Sequence, residues 1–191
     1  EDVKVVEEFL IPHKSEYAFV SDIDDTFLVS HSTSFFKKVY HMLSKNVETR
    51  NVFQGVNDHY NRLMKGVDPK KPNPFFYVSS SEWNLYDFVV EFCEINNLPK
   101  GVFLVQDLKV GLHELLRQSG GNHQHKELKF RTILETFPAH RLVLLGDSGQ
   151  RDPEIYYKIV KKFPEKIHAV YIRDMGKKKR AKAQRIGERI K

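Results

Sequence analysis

Cysteine is almost absent: the chain has one, Cys93, in 191 residues. A disulfide framework and a cysteine-rich zinc site are thereby excluded. Long hydrophobic runs are missing too, and no stretch approaches the ~18 consecutive apolar residues of a membrane span. No internal repeat or low-complexity linker divides the sequence, and its length suits one domain able to bury a core without staples. The 40% hydrophobic and 29% charged shares are those of a globular chain. The first residue is Glu1 rather than Met, so the native start is expected upstream.

Net charge is scarce in the body and concentrated at the end. Of the net +6, residues 177–191 supply +7, through Lys177, Lys178, Lys179, Arg180, Lys182, Arg185, Arg189 and Lys191 against Glu188. Residues 1–176 are therefore close to neutral. A basic tail of this kind suits anionic lipid or another polyanion, and it also suits a solvated terminal helix. Because the net positive charge is confined there, with no interleaved aromatics, no nucleic-acid partner is expected.

What is present is a series of short apolar runs bounded by breakers. Tyr17–Ser21, Phe75–Val78, Val102–Val105, Leu142–Leu145 and Ile167–Ile172 are rich in Val, Ile, Leu and Phe, and read as buried parallel strands. Helical periodicity lies between them. Trp83–Asn97 is a helix that Ser81 can cap, Lys126–Phe137 is a second, and Asp152-Pro153-Glu154 opens a third with a cap, a Pro and a first-turn acid. Strands alternating with helices predict a doubly wound α/β fold with a mainly parallel sheet. Its chemistry is then expected at the carboxyl ends of the strands.

Those ends are polar in a consistent way. The first run leads into Asp22-Ile23-Asp24-Asp25-Thr26, whose crowded carboxylates repel one another unless a cation relieves them. Mg²⁺, which takes a few carboxylates with water and phosphate oxygens, suits such a cluster. The second run ends in Ser79-Ser80-Ser81, hydroxyls able to donate to phosphate oxygens or to cap a helix. The fourth ends in Gly146-Asp147-Ser148-Gly149-Gln150-Arg151-Asp152, where Asp152 is fully explained as a helix N-cap. Lys126 stands at a helix start, against the dipole, so a nearby anion would rationalise it; Lys129, one turn on, is the alternative.

Acid pair, hydroxyl, lysine and acid pair in this order resemble the haloacid dehalogenase superfamily of phosphohydrolases over residues 17–174. The stretches 19–26, 76–86 and 146–156, with Tyr171-Ile172-Arg173-Asp174, are similar to the actin-patch-type phosphatidate phosphatase catalytic domain, a relative of lipin. Two positions depart from that pattern: Glu82 stands where the family usually has Pro, and Gln106 where it usually has Arg.

The resemblance implies a Mg²⁺-dependent phosphatase acting on phosphatidate. Asp22 would be the nucleophile and Asp24 the general acid and base. Asp22, Asp24 and Asp147 would hold Mg²⁺. Ser79, Ser80 and Lys126 would bind the phosphoryl group, Thr26 would fix the loop, and Asp152 would orient Lys126 or a metal-bound water. Other phosphomonoesters (a phosphoprotein, a nucleic-acid end, a small metabolite) and a non-catalytic phosphatidate-binding role are the alternatives.

The expected layout is an N-terminal extension at 1–16, a catalytic domain at 17–174 and a basic tail at 175–191. A small helical cap insert is expected at 27–74, with helical patterns at Phe35–Leu43 and Val56–Met64. Phe27, Phe35, Phe36, Tyr40 and Phe53 would form its core or an apolar rim. The insert at 106–125 carries His113, His123 and His125, which read as loop polarity rather than a zinc site. A cytoplasmic location is expected, with peripheral contact with anionic membranes open to the tail.

Overall fold

The five apolar runs form strands β1 (Tyr17–Asp22), β2 (Phe75–Glu82), β3 (Val102–Gln106), β4 (Arg141–Asp147) and β5 (Ile167–Arg173). The computed structural model of the protein describes residues 15–22, 54–83, 86–106, 123–148, 151–174 and 176–188. Every strand pairing is parallel, in the order β3-β2-β1-β4-β5. Helices α1 (Gln54–Lys65), α2 (Tyr86–Ile95), α3 (His123–Thr136), α4 (Asp152–Lys162) and α5 (Lys177–Gly187) complete the described residues, with a 3₁₀ turn at Pro164–Lys166. This is the doubly wound α/β architecture that the alternation of runs predicts.

Alternate residues of a strand face opposite sides of the sheet. Both sides are covered here, which is why the strands read as continuous apolar runs. On one side Ala18, Val20, Phe76, Val78, Leu142 and Leu144 meet Phe130, Ile133 and Leu134 of α3 and Ile155, Tyr156 and Ile159 of α4. On the other, Phe19, Phe75, Tyr77, Val143 and Leu145 meet Tyr60, Leu63 and Met64 of α1. That second side is aromatic: Phe75 lies 5.4 Å from both Phe19 and Tyr60, and Tyr77 stacks on Phe103 at 4.9 Å. The Tyr77 hydroxyl donates to the Pro99 carbonyl at 2.7 Å, so the one polar atom of a buried ring is satisfied. Phe92 and Cys93 of α2 pack beside Phe103, and burial pushes the Cys93 thiol up to about 12.

The periodic segment Val56–Met64 is helix α1, and its apolar face packs on the sheet. This part of the expected cap insert therefore belongs to a core layer. The other helical pattern, Phe35–Leu43, and the aromatics Phe27, Phe35, Phe36, Tyr40 and Phe53 lie outside the described residues, as do 1–14 of the N-terminal extension and His113. Strand β2 is longer than its apolar run. Pairing with β3 resumes after a register shift at Glu82↔Gln106, so Ser81 lies in the strand and not at a helix cap.

The basic tail begins as ordered structure. Gly176, at φ 120°, takes the left-handed backbone that lets the chain reverse after β5. Helix α5 then runs back toward the start of β5, and Ala183 and Ile186 roof a cavity of about 360 Å³ lined also by Tyr156, Val160 and Ile172. Two ion pairs hold the helix, Arg180 with Asp174 and Lys182 with Glu154. No helix among the described residues is long and apolar enough to cross a membrane.

The packing sets a clear expectation for α3. Phe130 is 1% exposed and meets the Tyr156 ring edge-on at 5.8 Å. Phe130→Ala should lower stability by about 3–5 kcal/mol in urea unfolding. Leu128→Ala, at a position 59% exposed on the same helix, should stay within about 0.5 kcal/mol of the parent.

Candidate active site

In an open parallel sheet the ligand crevice lies at the carboxyl ends, where the strand order reverses. Here that point is between β1 and β4. Asp22 is the last residue of β1, two positions beyond Val20, so it faces the same side as α3 and α4. Lys126 is the fourth residue of α3, and its Nζ donates to Asp22 Oδ2 at 2.6 Å. Asp152, the first residue of α4, places Oδ1 3.7 Å from the same ammonium. The side chains of Lys126, Asp22 and Asp152 are 7%, 5% and 2% exposed. The anion that answers a lysine in the first turn of a helix is thus the Asp22 carboxylate itself.

Two carboxylates share one ammonium in a space nearly closed to water. Burial first, and the facing Asp22 charge second, push the Asp152 carboxyl up to about 9, while Lys126 and the Asp147 backbone N–H pull the other way. Asp152 Oδ1 is a buried acceptor without a full hydrogen bond.

The N-cap role expected of Asp152 is not what the structure contains. Arg151 occupies the cap position, with no side-chain cap hydrogen bond, while Pro153 and the first-turn acids stand as expected. The Asp152 carboxylate turns back to β4 instead and accepts from the Asp147 backbone N–H at 2.9 Å. That contact explains Gly146. A Cβ there would lie 2.6 Å from Asp152 Oδ2 and 2.8 Å from Tyr156 Cε2. Tyr156 adds a second strut, its hydroxyl donating to the Leu145 carbonyl at 2.8 Å. Burial, with the Asp152 and Asp22 charges, raises that phenol well above its usual range.

The remaining predicted residues are distributed as follows. Asp147 ends β4 and is buried. Ser79 is buried on β2, one residue past Val78, the register partner of Asp22. Ser80 follows it on the same strand. The two candidate lysines separate: Lys126 reaches Asp22, whereas Lys129 donates to the Ser79 backbone carbonyl. Asp24 and Thr26 lie outside the described residues.

Three residues at this edge were given no role by sequence reasoning, although two of them lie in the stretches that carry the resemblance. Tyr156 is one. Tyr60 of α1 shares a hydrogen bond with Ser21 at 2.9 Å on the opposite side of the sheet, and burial pushes its phenol up. Arg173 closes β5 in register with Asp147; an arginine at the tip of an apolar strand is the signal that could have found it.

The donor chemistry suits a hard cation. Asp22 and the buried Asp147 end adjacent strands and bring two carboxylates to the same edge. Mg²⁺ is commonly held by one or two carboxylates with water and substrate phosphate. Among the described residues no three His, Cys, Asp or Glu side chains form a metal cluster by themselves.

Comparison with known proteins completes the account of this edge. A family model described as phosphatidate phosphatase APP1, catalytic domain, matches residues 17–174. The phosphatidate phosphatase APP1 of Saccharomyces cerevisiae is 28% identical over 154 residues, covering 81% of this chain and 25% of that protein. An uncharacterized Schizosaccharomyces pombe protein is 25% identical over 160 residues, covering 83% of this chain and 25% of its own length. The chain therefore spans about a quarter of the length of the curated relatives it matches. No solved structure matches it. The family match runs from the first residue of β1 to just past the end of β5 and takes in Asp22, Lys126, Asp147 and Asp152: the chain belongs to the family of the APP1 phosphatidate phosphatase catalytic domain.

Proposed function

We propose that this chain is a Mg²⁺-dependent phosphatidate phosphatase domain that releases phosphate and diacylglycerol through an aspartyl-phosphate on Asp22. The observation that carries the reading is the buried Lys126–Asp22 contact, 2.6 Å long, at the sheet's switch point and inside the family match.

Lys126 holds Oδ2 of Asp22 and orients the carboxylate, which leaves Oδ1 to attack phosphorus. As that P–O bond forms, the bond from phosphorus to the diacylglycerol oxygen breaks. Asp24 protonates the departing alkoxide, then takes a proton from the water that attacks the aspartyl-phosphate. Phosphate leaves and Asp22 is regenerated. Ser79, Ser80 and Lys126 donate to the phosphoryl oxygens, where negative charge builds in the transition state. Asp152, itself fixed by the Asp147 backbone N–H, acts through Lys126, and Thr26 fixes the loop after β1. Mg²⁺, held by Asp22, the Asp24 carbonyl and Asp147, would screen the attacking carboxylate from the charge of the phosphate.

The lipid substrate is supported by the family description and by the yeast relative's printed activity. Phosphate release from phosphatidate in mixed detergent micelles, measured beside a soluble aryl phosphate, tests it. Turnover of the lipid is expected, abolished by EDTA, restored by Mg²⁺ and lost in Asp22→Asn. Turnover of the aryl phosphate alone would leave a phosphatase and remove the lipid assignment. Binding of phosphatidate vesicles without turnover of either would replace the enzyme with a binding module.

Gly146→Ala probes the positioning of the site without touching a reacting group. The added methyl must displace Asp152. The fold should survive, while kcat should fall by roughly 10²-fold, the scale of an ångström-sized misplacement. Normal kcat in a folded Gly146→Ala protein would remove Asp152 from the mechanism.

A further inference from the structure

Two features of the carboxyl edge take no part in the chemistry above. Strand β2 ends at Glu82, and the next residue, Trp83, is 60% exposed. Its indole stacks on Tyr86 with centroids 4.8 Å apart and rings 29° from parallel. The stack holds the indole in one orientation while most of its surface stays in water. On the other side of the crevice, β5 ends at Arg173, the chain turns at Gly176, and α5 opens with Lys177-Lys178-Lys179-Arg180. Four cations in a first turn that contains no acid oppose the positive end of the helix. Arg180 and Lys182 are paired to Asp174 and Glu154 on the body, so this turn is anchored at the edge.

The sheet order sets the geometry. β1 and β4, which carry Asp22 and Asp147, lie between β2 and β5. The indole and the cationic turn therefore flank the crevice, their strands three spacings apart, roughly 14 Å at the usual inter-strand distance. An indole is favoured at a water–hydrocarbon boundary, where its apolar body and its N–H are both served. Each Lys or Arg near an anionic leaflet strengthens partition by roughly fivefold.

We propose that this edge is a docking face for an anionic phospholipid bilayer. Trp83 enters the headgroup region on one side, the Lys177-Lys178-Lys179 start of α5 supplies positive charge toward the lipid phosphates on the other, and the strand ends that carry Asp22 and Asp147 lie between them. The proposal rests on the phosphatase reading for what enters the crevice, but not for the binding itself. Trp83 is the one tryptophan of the chain, so its emission reports directly on the face.

The experiment adds vesicles of phosphatidylcholine, with and without phosphatidylserine, to the whole chain. Phosphatidylserine is anionic and is not a phosphomonoester. Trp83 emission should shift to the blue with anionic vesicles only, and lipids brominated near the headgroup should quench it. Raising salt from about 0.1 to about 0.5 M should reverse the shift, since screening shortens the reach of the lysines. Lys177→Glu with Lys178→Glu should weaken partition at least tenfold, and Trp83→Ala should weaken it several-fold by vesicle co-sedimentation. Aryl phosphate turnover should be unchanged in both variants.

Emission that does not move, equal shifts on neutral and anionic vesicles, or full partition by the charge variant would each overturn the proposal. An acidic protein that shifts the emission, where bromolipid vesicles neither shift nor quench it, would overturn it in favour of a protein partner. The two readings fail separately. Vesicle binding without turnover of any phosphate ester counts against the phosphatase alone. Turnover of micellar phosphatidate without vesicle binding counts against the docking face alone.

Discussion

The contact between Lys126 and Asp22 is the one on which the rest of the crevice depends. Both groups are withdrawn from water, and a buried charge without its partner is strongly unfavourable, so each fixes the other's position. Asp152 adds a second carboxylate to the same ammonium and thereby ties α4 into the arrangement. It fits only because Gly146 has no side chain. One strand tip, a second strand's backbone and the first turns of two helices are thus locked together, at the point where the sheet changes direction.

The two sides of the sheet contribute differently to that lock. The side that carries the ion pair is lined mainly by aliphatic residues, among them Val20, Val78, Leu142, Leu144 and Ile159. The opposite side is a run of ring contacts through Phe19, Phe75, Tyr77 and Phe103, stacked at its two ends and tilted between Phe75 and Tyr77. Rings satisfied at their polar tips, as Tyr77 is by Pro99, leave few alternative packings. The aromatic layer therefore holds β1 and β2 from behind, while the front layer brings Lys126 and Asp152 to the strand ends.

Much of this was legible in the sequence, because buried parallel strands announce themselves as unbroken apolar runs and polar residues at their ends stand out. All five strands and their alternation with helices followed from that pattern, and Asp22, Ser79 and Asp147 stand in the carboxyl parts of strands as it expects, whereas the choice between Lys126 and Lys129 did not follow from it. The approach of Asp152 to Lys126 was expected from the family resemblance, but its turn back to the Asp147 backbone in place of a helix cap was not. Asp-Pro-Glu has the composition of a helix start whichever way the carboxylate turns, and only the close approach to Gly146 decides it. Ser81 was misread for a related reason: Ser-rich strand ends and helix caps look alike until pairing with β3 is known. The segment Val56–Met64 has the periodicity of any amphipathic helix, and periodicity does not say which layer the apolar face meets. The roles of Tyr60 and Tyr156 were not legible because a phenol that props up a strand is indistinguishable in sequence from one that fills space.

The solitary thiol on α2 has a practical side. Cys93 is 3% exposed, and burial holds its proton far above neutral pH, so almost no thiolate is available to react. The native chain is in effect cysteine-free to a labelling reagent, although its core contains the residue. A spin label or fluorophore can therefore be introduced at any chosen surface position without first replacing Cys93, and the wild-type packing around Phe92 and Phe103 stays intact while the orientation of the molecule on a surface is mapped.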